Sequence, residues 1–345
     1  MKIASFFSGV GGLDLGFTNA GFKLAFANDN WSKSWETFEK NHGIKVDKRP
    51  IQKILPEEVP GVVGFVGGPP CQSWSLAGAM RGIKDPRGKV FYNYVKLIAK
   101  KKPLFFVAEN VAGILSKRHL PEFLKIFYSF KKIGYNVAYK LLDAKDYGVP
   151  QERKRVFIVG YHERMGKKFE FPEPQPQKLT LKDAIEDLPE AIPASQKNKS
   201  NGKLDIANHE YMNGGFSTIY MSRNRVRNWD EPSFTIQAGG RHAPCHPKAP
   251  KMKFLEKDKM AFISGKENLY RRLSVRECAR IQTFPDGFIF YYDQVADGYK
   301  MIGNAVPVKL AEALALKIMQ DLKDVGKEKC QTNLTKKQEA QLCLE

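Results

Sequence analysis

The first half of the chain alternates short apolar runs with amphipathic stretches. That alternation is the pattern of a parallel sheet whose strands are joined by helices packed on its faces. Strands are predicted at Lys2–Phe6, Lys23–Asn28, Val62–Val66, Leu104–Glu109, Asn136–Leu142 and Val156–Tyr161, and helices at Leu13–Ala20, Ser32–Asn41, Val90–Lys101 and Leu120–Ile133. The expected fold is α/β, a doubly wound, mostly parallel sheet. The proline-punctuated stretch Phe171-Pro172-Glu173-Pro174-Gln175-Pro176 ends this texture, and no regular β-α alternation resumes after it. At 345 residues the chain exceeds what one core usually supports, so a second lobe is expected there. Residues 214–253, rich in Gly, Arg, Asn, His and Pro, predict loops and short strands. Leu310, Leu314, Ile318 and Leu322 stand at helical spacing, and their stripe needs a partner in the first lobe. The Lys-rich end from Lys323 on is expected to fray. The division is therefore 1–175 plus 298–323 as a ligand-binding, catalytic lobe, 176–297 as a smaller irregular recognition lobe and hinge, and 324–345 as a disordered tail.

Lys and Arg outnumber Asp and Glu by 56 to 37, a formal charge of +19. Such a balance suits a protein that replaces counterions along a phosphate backbone, although RNA, anionic lipid or a merely solvated face would also accept it. The cysteines, at 71, 245, 278, 330 and 343, are odd in number and lack C-x-x-C spacing, which argues against a disulfide framework or a zinc site. They read as thiols in a reducing compartment. The amino terminus enters a strand directly, and no apolar stretch approaches membrane-spanning length, so a cytoplasmic protein with no membrane partner is expected.

Phe6-Phe7-Ser8-Gly9-Val10-Gly11-Gly12 follows a predicted strand and opens a predicted helix. Its glycines permit a tight turn that brings backbone N–H groups to an anionic ligand at the helix N-terminus. The spacing G-x-G-G differs from the dinucleotide G-x-G-x-x-G and disfavours a nicotinamide cofactor. Alone, such a turn is as often structural as functional. The second strand ends on Asn28-Asp29, where the carboxylate suits a ribose diol or, equally, the cap of the next helix.

Val62 to Cys71 forms a strand that delivers two glycines, two prolines and a thiol to the carboxyl edge of the sheet, where open α/β sheets bind ligands. A lone cysteine is more often an inert buried residue, but the stiff Gly-Pro setting makes Cys71 a candidate nucleophile. The strand from Leu104 brings Glu109 to the same edge. A carboxyl group in an apolar rim has a raised pKa and can hold a proton at neutral pH, whereas a solvated strand-end glutamate would only cap a turn. In Gln151-Glu152-Arg153-Lys154-Arg155, alternate residues share a face, so Arg153 and Arg155 aim two guanidinium groups one way, toward an oxygen acceptor, a phosphate or plain solvent.

The runs F-S-G-V-G-G, G-P-P-C-Q-S-W-S, E-N-V, Q-E-R-K-R, R-R-L-S-V-R-E-C-A-R-I-Q-T-F-P (271–285) and G-Y-K-M-I-G-N-A-V-P (298–307), in this order over almost the whole chain, resemble the bacterial cytosine-5 DNA methyltransferases. The resemblance implies a Rossmann-like fold that uses S-adenosyl-L-methionine, and a cytosine flipped out of duplex DNA. It implies that the Cys71 thiolate adds to C6, that C5 then takes the methyl group, and that loss of the C5 proton with elimination of sulfur restores the ring. Glu109 matches the carboxyl that engages N3 and the exocyclic amine. Arg155, with Arg153 as its neighbour, matches the group that holds O2 while the ring accepts electron density. Around the cofactor the resemblance implies Phe7, Ser8, Gly9, Gly11, Gly12 and Leu13, then Asp29 at the ribose with Asn30, Ile51 and Pro69, and Asn304 and Val306 on the far side, with no metal. Two departures stand out. Ser5 occupies a position that is acidic in many members, and Pro50-Ile51 stands where many carry Asp-Ile, so the adenine is expected to be held by backbone and packing. The stretch Ser73 to Lys89 suits a loop that closes over DNA, with Arg87 as a phosphate contact, or else a flexible surface loop.

Met221 to Trp229 sets Arg223, Arg225 and Arg227 at alternate positions, which on an extended segment project to one side. Arginine pairs bidentately with guanine O6 and N7, while others of these side chains grip phosphates; Arg241 completes the DNA-binding set. S-T-I-Y-M-S-R-N-R-V-R, E-P-S-F-T-I-Q-A-G-G-R-H and H-P-K-A-P are similar to the recognition region of the HaeIII-type modification methylases, which act on the inner cytosine of GGCC. The implied partner is double-stranded DNA, and the implied setting is a monomeric restriction-modification enzyme beside a separate endonuclease. The alternatives on this scaffold are a tRNA cytosine-5 methyltransferase and an inert DNA-binding regulator. The Arg-rich segment favours DNA, and intact Cys71, Glu109 and Arg155 favour catalysis.

Overall fold

In the computed structural model, which describes residues 1–70, 88–202 and 204–342, the apolar runs of the first half assemble into one seven-stranded sheet. Its strands are β1 (Lys2–Phe6), β2 (Lys23–Asn28), β3 (Val46–Asp47), β4 (Gly64–Gly67), β5 (Phe105–Val111), β6 (Tyr135–Asp143) and β7 (Lys154–His162). They lie in the order β3-β2-β1-β4-β5-β7-β6. The neighbours from β3 to β5 run parallel, and β7 runs antiparallel to both β5 and β6. The doubly wound sheet is as expected, with strand ends within three residues of those read from the sequence. The short β3 was not foreseen; Asn28 pins it to β2 by donating from Nδ2 to the carbonyls of Asp47 and Arg49, at 2.8 and 2.7 Å.

The reversal of β7 has a simple cause. A parallel crossover needs a dozen or more residues, and the link from Asp143 to Lys154 holds only a short 3₁₀ turn, Ala144–Tyr147. The chain must therefore turn back, and the beginning of β7 comes to lie beside the end of β5, with Val111 opposite Arg155 and Glu109 opposite Phe157.

Helices cover both faces of the sheet. On one face α1 (Gly12–Asn19) and α8 (Val308–Leu342) pack together, their Leu13, Phe17, Leu310, Leu314 and Ile318 sharing a core with Val107, Val159 and Tyr161. The Tyr161 hydroxyl also donates to Asp321 at 2.8 Å, tying α8 to β7. On the other face α3 (Gly88–Lys101) and α4 (Leu120–Lys132) bury Tyr94, Ile98, Phe123 and Ile126 against Phe65, Phe106 and Ile158. The helix α2 (Ser32–His42) packs beside β2 and β3 through Phe38.

Beyond Phe171 the chain forms short pieces: α5 (Leu181–Ile185), the strand pair β8 (Ile192–Pro193) and β9 (Glu210–Tyr211), the hairpin β10 (Lys253–Glu256) and β11 (Lys259–Ala261), α6 (Val275–Ile281) and α7 (Val295–Asn304). A third core joins α5, α6 and α7 to Val10 and Val308 of the first lobe. Two sequence expectations are corrected. The boundary at 297/298 falls inside α7. The end from Lys323 on is helical as far as Leu342: Val325 continues the buried stripe, and the segment contains no proline to stop it. No helix of the described residues is long and apolar enough to cross a membrane.

The stripe on α8 can be tested directly. Leu314 is fully buried and Leu316 is 52% exposed. Leu314→Ala is expected to cost about 3 kcal/mol in urea denaturation, and Leu316→Ala less than about 1 kcal/mol; equal losses would contradict this packing.

Candidate active site

The strand order reverses between β1 and β4, so the carboxyl ends of β1, β2, β4 and β5 surround a crevice, the usual ligand position in such sheets. A cavity of about 390 Å³ lies there. Phe7, Ser8, Gly9, Gly12, Leu13, Asp29, Asn30, Pro69, Asn304 and Val306 line it, as do Glu109 and Arg155. Two residues expected around a cofactor are elsewhere. Gly11, at φ +86°, faces His42, whose Nε2 would sit 2.0 Å from a Cβ placed there. Ile51 is packed in the core shared by β1 and β4. Gly12 serves by close approach, since a Cβ would lie 2.4 Å from the carbonyl oxygen of Val306. That contact brings the turn after β1 against the turn between α7 and α8, which form opposite walls.

The glycine-rich turn is tied to the end of β2. Asp29 accepts from the backbone N–H of Gly9 through Oδ2 (2.8 Å) and of Trp31 through Oδ1 (2.7 Å). Burial pushes the Asp29 carboxyl above its ordinary range, against these two hydrogen bonds. Asp29 lines the cavity, and each oxygen can accept a second hydrogen bond. Trp31, not foreseen from the sequence, lines the cavity beside Asp29 and lies under the ammonium of Lys300 at 4.4 Å. An aromatic residue two positions after a strand-end acid was its only sequence signal.

At the other side of the cavity Arg155 Nε lies 3.0 Å from Glu109 Oε1, both side chains mostly buried. The antiparallel register puts both on one face of the sheet. Burial raises the Glu109 pKa, and the Arg155 and Arg153 guanidinium groups pull it back down. The backbone before Cys71 passes close by: a Cβ on Gly68 would be 3.2 Å from Glu109 Oε2, and Asn110 Nδ2 donates to the Pro69 carbonyl at 3.1 Å. Cys71 itself, the loop 73–87 and Arg87 lie outside the described residues.

Arg153 precedes β7 and, unlike Arg155, does not line the cavity, so the two guanidinium groups are not aimed at one acceptor. It is buried and donates to the carbonyls of Ile236 (2.8 Å), Gly303 (2.6 Å) and Ala305 (3.0 Å). Its hydrogen bonds go to framework, so it positions the site from behind.

The expected arginine row is also corrected. Arg223 and Arg241 are exposed. Arg225 is buried and donates to the carbonyls of Tyr220 and Ile219. Arg227 is engaged by Glu231 at 3.1 Å and by Glu152. Alternate positions share a side only on an extended strand, and here the segment leaves a 3₁₀ turn at Tyr220–Ser222 and meets Cys245 only in a single bridge at Val226.

Of two polar side chains in the cavity lining, Asp14 was missed altogether and Ser5 was noted only as a departure from the family pattern. Ser5, one residue before the end of β1, and Asp14, in the first turn of α1, are both fully buried. Neither Ser5 Oγ nor either carboxylate oxygen of Asp14 reaches a partner at full hydrogen-bond geometry, but the Ser5 hydroxyl lies close enough to Asp14 to lower its pKa. Burial pushes the Asp14 pKa up to about 7, opposed by the Ser5 hydroxyl and reinforced by the charge of Asp29.

The family model for C-5 cytosine-specific DNA methylases matches residues 1–320. The Type II methyltransferase M.MthTI of Methanothermobacter thermautotrophicus is 68% identical over 326 residues, covering 94% of this chain and 99% of the relative. M.FnuDI, a Type II methyltransferase of Fusobacterium nucleatum, is 53% identical over 342 residues, covering 98% and 99%. Among solved structures, a prophage-encoded E. coli protein described as a DNA modification methyltransferase superposes with a TM-score of 0.73 at 22% identity, over 94% of this chain and 99% of that one. It is similar in fold.

The raised pKa of Asp14 has a stability consequence with a definite sign. Between about pH 4 and pH 7 the unfolded chain releases a proton that the folded chain retains, so stability conferred by the neutral carboxyl is full below pH 4 and lost as pH rises through 7. Asp14→Asn is expected to flatten this dependence, with a relative gain that grows toward pH 8 and reaches at most about 4 kcal/mol. Thermal or urea unfolding without ligand at pH 5 and pH 8 measures it; a gain independent of pH would contradict the assignment.

Proposed function

The chain belongs to the C-5 cytosine-specific DNA methylase family, as a DNA (cytosine-5)-methyltransferase of the Type II restriction-modification kind, and from that premise we propose how and where it acts. It methylates the inner cytosine of GGCC in double-stranded DNA, after flipping that base into the mouth of the cavity, through a covalent adduct of Cys71. It works as a cytoplasmic monomer beside a separately acting endonuclease. The observation that carries the reading is the Glu109–Arg155 pair, set at a glycine-turn cavity and flanked by the backbone that leads into Cys71.

The cavity chemistry suits S-adenosylmethionine, the cofactor of the family. Asp29 offers acceptor sites to a ribose diol, and Trp31 offers an aromatic face. When bound, the cofactor supplies an electrophilic methyl carbon. Phe7 to Gly9, Gly12, Asp29 to Trp31, Pro69, Asn304 and Val306 would hold it.

The residues of the chain then divide the work on cytosine. The Cys71 thiolate forms a bond to C6 and pushes an electron pair toward C5. Glu109, its pKa raised by burial, holds a proton at N3 and accepts from the exocyclic amine, so the ring can take up that charge. Arg155 donates to O2 and at the same time keeps Glu109 from drifting. After C5 has gained its methyl group it loses its proton, the C6–sulfur bond breaks and the double bond returns. On the DNA side, exposed Arg223 and Arg241 are the contacts available, while Arg225 and Arg227 hold the segment in shape. The similarity of 217–227, 231–242 and 246–250 to the HaeIII-type recognition region supports GGCC. The residues 1–175 and α8 serve as the catalytic lobe, and 176 to the start of α7 as the recognition lobe.

The test is incubation with S-adenosylmethionine and a GGCC duplex carrying 5-fluorocytosine at the inner position. Fluorine cannot leave as a proton, so wild type is expected to remain cross-linked and Cys71→Ser to form no adduct. Absence of an adduct with wild type, or an adduct with Cys71→Ser, contradicts the mechanism. Full cleavage of treated plasmid by a GGCC-specific nuclease contradicts the recognition sequence.

A further inference from the structure

We propose that the amino-terminal edge of the sheet, opposite the cavity, is a second binding surface for duplex DNA, an inference that depends on DNA being the substrate and on neither GGCC nor the Cys71 adduct. The topology gathers basic residues there. β1, β2, β4, β5 and β6 all start at this edge, and the reversed β7 ends at it. Backbone hydrogen bonds run along the edge from strand to strand: Lys23 N–H donates to the Met1 carbonyl, Val63 to Lys2, Leu104 to Val63 and His162 to Leu104, each at 2.8 or 2.9 Å. On this line stand Lys2 and Lys23 at the starts of β1 and β2, Lys102 before β5, Lys131 and Lys132 before β6, and Lys168 after β7. All six are exposed, and none is ion-paired among the described residues. The Arg164 guanidinium donates to the Lys102 carbonyl, joining the end of β7 to the start of β5. Lys131 and Lys168 flank a concavity of about 370 Å³ that also includes Asn136 and Glu163.

Lysine at a helix C-terminus ordinarily answers the helix dipole. That accounts for Lys100 and Lys101 in α3 and for Lys131 and Lys132 in α4. It does not account for the row, because Lys2 and Lys23 open strands, Lys168 follows one, and α1 has no basic residue in its last turn. The nearby acids are Glu57, Glu163 and Glu170, while Glu58 is held by Arg49 and Asp321 by Lys317 and Tyr161. The edge is therefore strongly cationic. From β2 to β6 the row crosses five strand spacings, about 24 Å at about 4.8 Å each. Duplex DNA carries about one charge per 1.7 Å of axis, so the row matches the backbone of roughly seven base pairs. An acidic protein offers carboxylates at fixed, irregular points, whereas a duplex offers charge all along a line of long, flexible lysines. The cavity lies at the opposite ends of the same strands, so one straight duplex cannot touch both edges. DNA held at the cavity presents its own neighbouring segments at high local concentration, and contact with one of them lets the protein pass directly from stretch to stretch.

The test is the rate at which the full chain releases a short labelled duplex, followed by anisotropy at low salt while unlabelled duplex of the same sequence is added. Simple dissociation ignores the competitor, whereas direct transfer accelerates with it. For wild type, a roughly tenfold rise in competitor is expected to speed release by about threefold or more. Lys102→Glu/Lys131→Glu/Lys168→Glu should release at a rate independent of competitor and still methylate a short duplex at the wild-type rate. Arginine at the same three positions should restore the dependence. Lys2→Glu/Lys23→Glu, at the other end of the row, gives an independent variant should the triple change fail to fold. Wild-type release that ignores the competitor, the result expected of a surface reserved for an acidic protein, overturns the proposal. So does a glutamate variant that keeps the wild-type dependence.

Discussion

One buried guanidinium holds the parts of this molecule in register. Arg153 stands at the amino end of β7 and donates to Ile236 of the recognition lobe and to Gly303 and Ala305 at the turn between α7 and α8. These four positions come from three distant stretches of chain, and the turn they fix carries Asn304 and Val306, one wall of the cavity. Burial, with Arg155 adding like charge, drives the Arg153 pKa well below its ordinary range. The group is retained there because carbonyl dipoles converge on it; an apolar side chain of the same size would strand the three carbonyls without donors. Gln151, one face-sharing position earlier, repeats the logic with neutral partners: its Oε1 accepts from the Ile236 N–H and its Nε2 donates to Gln282 Oε1.

The catalytic edge depends on the same stretch of chain. Because the connection between β6 and β7 is too short for a crossover, β7 enters the sheet reversed, and the residues preceding and opening it lie at the ligand edge. Arg155 faces the cavity, where it meets Glu109, while Arg153 faces the framework. Two guanidinium groups two residues apart thus do different things, one toward substrate and one toward structure. The cost of the site is visible elsewhere: Phe7 is held at φ +55°, outside the comfortable range for a residue with a Cβ, and Asp14 is fully buried, its pKa raised by desolvation. Both sit on the glycine-turn side of the cavity.

What was legible in the sequence was local. β1 and β2 were readable because short, mostly apolar runs opened by Lys and followed by Gly or Asp leave little choice, and the α8 stripe was readable because 310, 314, 318 and 322 repeat at helical spacing. Placement of Glu109 and Arg155 at one edge followed from strand ends alone. The role of Arg153 was not readable, since its acceptors lie 83, 150 and 152 positions away along the chain. Arg225 was misjudged because alternation carries directional meaning only on a strand, and a local turn rotates it into the cluster around Tyr220. Asp14 gave no signal in Leu13-Asp14-Leu15: whether a first-turn acid is exposed or buried is decided by what packs against α1, and that is α8, almost 300 residues later. The helical end beyond Lys323 was missed for the opposite reason, because charge density was weighed above the absence of proline.

The central claim is that Arg153 is a framework clamp and not a group that touches substrate. Native-state hydrogen exchange of Arg153→Met, compared with Arg155→Met, addresses it most directly. The Ala305 N–H is bonded to the Ile302 carbonyl and the Ile236 N–H to Gln151, so both report on the clamp. Arg153→Met is expected to accelerate exchange at Ala305 and Ile236 together and to lower global stability by about 3 kcal/mol or more, while Arg155→Met leaves both amides protected as in wild type. Wild-type protection at Ala305 and Ile236 in Arg153→Met would contradict the account.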